Sequence, residues 1–137
     1  MPALTIPQVK ERIARLRTMS ELEPKDFCEK DGMADSLAQN FGKDELKPNQ
    51  LYKVFQELKR IEREVKRKDQ NENFDRNMVS SLLPVLAYNT ARGYIPDDFY
   101  DIIQGCLNPE KLHTNGDFLR VVELIAAVLA YYKFRNK

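Results

Sequence analysis

Apolar residues along the chain recur at steps of three and four, the period of a helix with one buried face. Val9, Ile13 and Leu16 follow Pro7 in this way and predict a short first helix. Met19 to Pro24 reads as a connection, after which Phe27, Met33, Leu37 and Phe41 predict a second helix stopped at Gly42. The clearest pattern starts at Pro48, a residue suited to a first helical turn, and continues through Leu51, Val54, Phe55, Leu58, Ile61 and Val65. No glycine or proline interrupts residues 49–68, and the helix is expected to fade in the polar stretch 69–73.

A fourth helix is predicted from Phe74 to Arg92, with Met78, Leu82, Val85, Leu86 and Tyr88 facing inward, Pro84 kinking it and Gly93 closing it. Asp97, after Pro96, is placed to cap a fifth helix through Phe99, Ile102 and Ile103, ending near Gly105. Asn115-Gly116-Asp117 opens the last helix. Its apolar residues fall on two sides: Phe118, Val121, Val122, Ile125, Val128, Leu129 and Tyr132 on one, Leu124, Ala127, Tyr131 and Phe134 on the other. Such a helix is either central to a bundle or covered by a partner. No strand alternation or repeat is visible, so the expected fold is all-α, a compact bundle of about five to six helices. We expect a single helical domain over 1–137, with a core in 46–137 and an N-terminal segment, 1–45, whose packing the pattern leaves open.

Composition adds little to that picture, and the charge distribution adds much. The net charge of +1 hides a 22-residue stretch, 47–68, with eight basic and three acidic side chains, flanked by segments that are each slightly acidic. On a helical wheel Lys53, Arg60 and Arg67 recur every seven residues, with Lys59, Arg63 and Lys66 beside them. Asn49 and Gln50 project from the first turn next to Lys47. Cations neutralise phosphates, and amide side chains position them, so this face suits a nucleic-acid backbone. An ordinary solvated face with Glu–Lys pairs explains the same charges. No aromatic residue is evident on it, which argues against a single-strand binder that stacks bases.

Catalytic chemistry is not expected. The one histidine, His113, sits in a predicted loop, and no His, Cys and carboxylate cluster has metal-ligand spacing. Asp97, Asp98 and Asp101 are read as helix-start charges. Neither a metal nor another cofactor is called for. Cys28 and Cys106 are expected as free thiols of a cytoplasmic protein. The longest apolar run, Leu124 to Tyr132, is too short for a bilayer, so no membrane partner is expected.

Three stretches add a resemblance. They are LKPNQLYKVFQELKRIE from Leu46 to Glu62, LLPVLAYNTARG from Leu82 to Gly93, and FLRVVELIAAVLAYYKFR from Phe118 to Arg135. In order and spacing they resemble the small subunit of type III-A CRISPR effector (Csm) complexes, over roughly 46–135. That resemblance implies a non-catalytic helical subunit for antiviral defence. Several copies would lie along the complex, beside its backbone and large subunits, contacting the guide RNA–target RNA duplex. It implies that Lys53, Arg60, Arg92 and Lys133 hold the family's basic positions, and Asn49 and Gln50 its polar helix start. Residue 53 is Lys where many members would have Arg, which keeps the charge but loses the bidentate fork.

Together these readings nominate Lys47, Asn49, Gln50, Lys53, Arg60, Arg63, Arg67, Arg92 and Lys133 as an RNA-binding set. A homodimer of the isolated chain through the last helix is left open. The competing readings are a helical protein–protein adaptor and, more weakly, a helix-turn-helix DNA binder.

Overall fold

The computed structural model describes residues 3–137. Eight α-helices follow in chain order: α1 (Ile6–Arg15), α2 (Pro24–Phe27), α3 (Met33–Asn40), α4 (Pro48–Val65), α5 (Asn77–Ser80), α6 (Leu82–Ala91), α7 (Asp97–Cys106) and α8 (Asn115–Arg135). A 3-10 turn at Met19–Glu21 links α1 to α2. Among the described residues there is no β-strand, only one isolated bridge between Asn73 and Thr114. The all-α expectation holds.

The bundle is built around α8. One flank lies along α3 and another along α4, while its N-terminal half meets the 3-10 turn. Leu124, from the second apolar side, is fully buried, as are Phe118 and Val121 from the first. Tyr131 reaches across to donate its hydroxyl to the Cys28 carbonyl at 2.6 Å. The second apolar side is therefore filled largely by this chain itself, which removes the sequence-based reason to expect a homodimer there. Phe134 alone of that side stands exposed. Of the N-terminal segment, residues 3–45 pack on the rest: α1 lies against α7 and α3, and α3 runs along α8.

Three polar devices hold α8 in register. Thr114 and Asp117 form a reciprocal capping box at its start. The buried Asp117 carboxylate also accepts backbone N–H bonds from His113 at 2.9 Å and Ser20 at 3.0 Å, tying the 3-10 turn to the helix. Burial alone would raise its pKa, but the bonds from Ser20, Thr114 and His113 outweigh it and hold the carboxyl below its ordinary value. At the other end Arg135 grips the fully buried Asp35 of α3 with two bonds of 2.8 Å. That guanidinium is the main reason the Asp35 carboxyl lies below the usual range.

Two predicted helices prove to be broken. The one expected over Phe27–Phe41 is interrupted by a turn in which Asp31 takes φ +62°. Gly32 is the N-cap of α3, a position that suits glycine because a Cβ there would come within 2.9 Å of the Glu29 carbonyl oxygen. The helix expected over Phe74–Arg92 starts later and breaks at Ser81, so Pro84 does not kink a long helix. It sits in the first turn of α6, where backbone donors have no helical partner to lose. The shift in phase matters for the surface. Val79, Leu82 and Leu86 point into the core, while Val85 and Tyr88, expected inside, are 52% and 63% exposed. At α7 the cap position belongs to Pro96 and Asp97 is the first helical residue, so Asp97 does not cap. Gly93 does close α6, with φ +82°. Tyr94 N–H bonds to the Asn89 carbonyl and Gly93 N–H to Thr90, satisfying the last carbonyls.

Candidate nucleic-acid interface

The site begins with the division of α4 into two faces. Leu51, Val54, Leu58, Ile61 and Val65 are buried, and Lys53, Gln56, Glu57, Arg60, Arg63 and Glu64 are exposed. Lys53 and Arg60, seven residues apart, stand about 10 Å from each other along one side of the helix. Both line a groove between α4 and the α5–α6 pair, of about 420 Å³, floored by Ile61, Met78, Leu82 and Val85. A narrower extension of the groove adds Gln50 and Asn89. Gln50 also lines the next concavity, with Lys47, Pro48, Asn49 and Tyr94.

Arg92, on a different helix, joins this strip through aromatic contacts. Its guanidinium lies 4.4 Å from the Tyr94 ring centre and 5.3 Å from that of Tyr88. It donates to the Tyr94 hydroxyl at 2.9 Å. Its side chain therefore does not cap α6; the backbone of Arg92, Gly93 and Tyr94 does that. Lys47, Asn49, Gln50, Lys53, Arg60 and Arg92 thus form one connected surface.

The remaining nominated residues lie outside the groove. Arg63 and Arg67 are exposed but line none of these concavities, and α4 ends at Val65, before Arg67. Lys133 is exposed on the opposite flank of α4, its ammonium 5.4 Å from the ring of Tyr52.

The electrostatics of the face are uneven. Glu57 accepts bonds from Arg60 Nε at 3.2 Å and Nη2 at 3.0 Å. Lys59 pairs with Glu62 at 2.6 Å, and Lys66 lies 3.7 Å from the same carboxylate. Among the described residues Lys53, Arg63, Arg67 and Lys133 have no carboxylate partner. Lys53 is thus the cation in the groove with no internal competitor.

Sequence reasoning missed the aromatic part of this surface. Tyr88 and Tyr94 flank Arg92, and Tyr52, 45% exposed, lies with Lys133 on the other flank of α4. The absence of aromatics expected on this face is therefore corrected. The exposure of Tyr88 follows from the break at Ser81, which shortens α6 to ten residues and which the apolar spacing of LLPVLAY does not mark.

His113 is exposed, with Nε2 2.8 Å from the Glu110 carbonyl oxygen. Lys10 bridges Asp98 and Asp101 at 2.7 and 3.3 Å, accounting for two of the three clustered carboxylates. Cys28 and Cys106 are free, and burial pushes the Cys106 thiol up to about 12. Among the described residues no group of three or more His, Cys, Asp or Glu side chains could hold a metal ion. Among the described residues no helix is long and apolar enough to cross a membrane.

The family model for Csm2 Type III-A matches residues 25–137. The chain belongs to the Csm2 Type III-A family. It is a subunit of the type III-A CRISPR effector (Csm) complex. The match begins ahead of the three sequence stretches and takes in α2 and α3, so the family region includes helices that pack on α8. No curated protein and no solved structure matches the chain.

Proposed function

We propose that this Csm2 subunit is a non-catalytic RNA-backbone binder of the effector complex, acting in the cytoplasm in antiviral defence. The guide–target duplex lies along the α4–α6 strip, and several copies of the chain line it, next to the backbone and large subunits. The observation that carries this reading is the connected surface from Lys47 through Gln50 and Lys53 to Arg60, joined by Arg92 from a second helix. Two helices contributing cations and amides to one groove suit a polyanion better than scattered surface charge does. We read residues 1–137 as one domain, with α4 presenting the contact face. Lys133, Arg63 and Arg67 extend the positive field beyond the groove. The subunit need not read bases, because guide–target pairing already carries the sequence. A single copy binds weakly, and several linked copies gain affinity through effective concentration.

The test uses the assembled complex. A Csm complex reconstituted with Lys53→Ala/Arg60→Ala subunits should form with normal composition and bind complementary target RNA more weakly. Normal assembly with unchanged target affinity would leave the chain as a protein–protein adaptor.

A further inference from the structure

Beyond phosphate contacts, we infer that the concavity between Tyr94 and the start of α4 is a binding site for one unpaired nucleobase of the RNA on the groove. This inference rests on the RNA-binding reading above. The pocket of about 360 Å³ is lined by Lys47, Pro48, Asn49, Gln50 and Tyr94, a size at the small end for ligand sites. The chemistry of that lining differs from the groove beside it. It offers an aromatic ring, a proline ring, two primary amides and one ammonium. A phosphate site needs converging cations, and this one does not have them. A nucleobase needs a flat apolar surface to stack on and donors and acceptors for its edge, which Tyr94 and the amides of Asn49 and Gln50 supply.

Tyr94 is held at its backbone by two elements and at its ring by Arg92. Its backbone N–H bonds to the Asn89 carbonyl at 3.0 Å, and its carbonyl accepts from Lys47 N–H at 3.3 Å. Its hydroxyl accepts from Arg92, whose guanidinium lies against the ring. Tyr94 is therefore fixed by the end of α6 and the start of α4 together, as a stacking platform should be. Gln50 lines both this pocket and the groove extension that contains Lys53. A strand whose phosphates follow Lys53 and Arg60 passes the pocket mouth, so the ligand is a base on the bound strand, not a free nucleotide. Bases inside a continuous duplex cannot enter. A bulged or extruded base can.

The test is a binding titration of the full chain with two RNA duplexes, identical except for one unpaired 2-aminopurine bulge. The bulged duplex should bind about ten-fold more tightly, ~1.4 kcal/mol, with quenching of the bulge fluorescence as the base stacks. Tyr94→Phe should keep the preference and Tyr94→Leu should abolish it, the preference being read as the ratio of bulged to paired affinity within each protein, so that a weakened hold on Arg92 cancels. Circular dichroism of Tyr94→Leu checks that the helices persist, and Asn49→Ala/Gln50→Ala, at exposed and half-exposed positions, should also reduce the preference. Equal binding of the two duplexes by the wild type, or a preference that survives Tyr94→Leu, would overturn the base site. Displacement of the bulged duplex by micromolar adenosine monophosphate would overturn the strand-bound assignment. Failure of the broader RNA reading shows separately, as no binding of the paired duplex.

Discussion

The two long helices, α4 and α8, solve opposite problems. In α4 the apolar residues keep to one face, and the opposite face stays in water with its charges available. In α8 apolar residues occupy most of the circumference, and Phe118, Val121, Leu124, Ile125 and Val128 are each at most 2% exposed. α8 is the post on which the other helices are mounted, and α4 is a wall with an outer surface. The contrast separates two surfaces: α8 and the inner face of α4 hold the core, and the outer face of α4 is left for the proposed contact, so substitutions on the two should have different effects.

The largest effect is expected inside α8. Leu124→Ala removes a fully buried side chain from the shared core and should cost about 2–5 kcal/mol in urea unfolding. A cost near zero would mean that α8 is not the central post. Next comes the polar anchor at its start. Asp117→Ala strands the backbone donors of Ser20, His113 and Thr114 and should cost about 1–3 kcal/mol by the same measurement.

Acid should act on the same helix. Asp35 and Asp117 both have folded pKa values depressed below their unfolded ones. Their contribution is therefore present above the unfolded value, about 3.9, and is lost as pH falls through the lower folded values. Melting temperatures followed from pH 7 towards pH 2 should drop below about pH 4. The drop should be smaller in Asp35→Asn, which has already lost the charge that Arg135 holds. An equal drop in that variant would place the acid sensitivity elsewhere.

The smallest stability effects belong to the outer face of α4. Lys53→Ala and Arg60→Ala should each stay within about 0.5 kcal/mol of wild type, because both side chains are exposed. On RNA the order reverses. Glu57→Gln, which frees Arg60 from its carboxylate partner, should tighten binding to any RNA several-fold at low salt. Weaker binding would mean that Glu57 orients Arg60 for phosphate and does not compete with it.

What the sequence made legible follows from the same contrast. One-faced periodicity located the start of α4 to within a residue, ran its end three residues past Val65, and placed Lys53 and Arg60 on its outer side. The Phe27–Phe41 and Phe74–Arg92 patterns were read as continuous helices because apolar spacing survives a break. It carries no mark of the turn at Asp31 or the step at Ser81. That continuity sent Val85 and Tyr88 to the inside and hid the aromatic flank of Arg92. The pairing of Glu57 with Arg60 was within helical reach in the sequence, whereas Tyr94 against the start of α4 is a contact between distant segments that spacing cannot show. For α8, two apolar sides left a central helix and a covered interface open, and only packing against α3 and α4 decides between them.

The central claim is that the outer face of α4 binds RNA phosphates without supporting the fold. Its most direct test is a salt titration of wild-type and Lys53→Ala/Arg60→Ala protein against one paired RNA duplex. The account predicts weaker binding by the double variant, to a similar degree for unrelated sequences. It also predicts a log–log salt slope shallower by roughly 1.4 to 1.8, from two lost phosphate contacts, with an unchanged circular dichroism spectrum. The same affinity and slope in a folded double variant would contradict it.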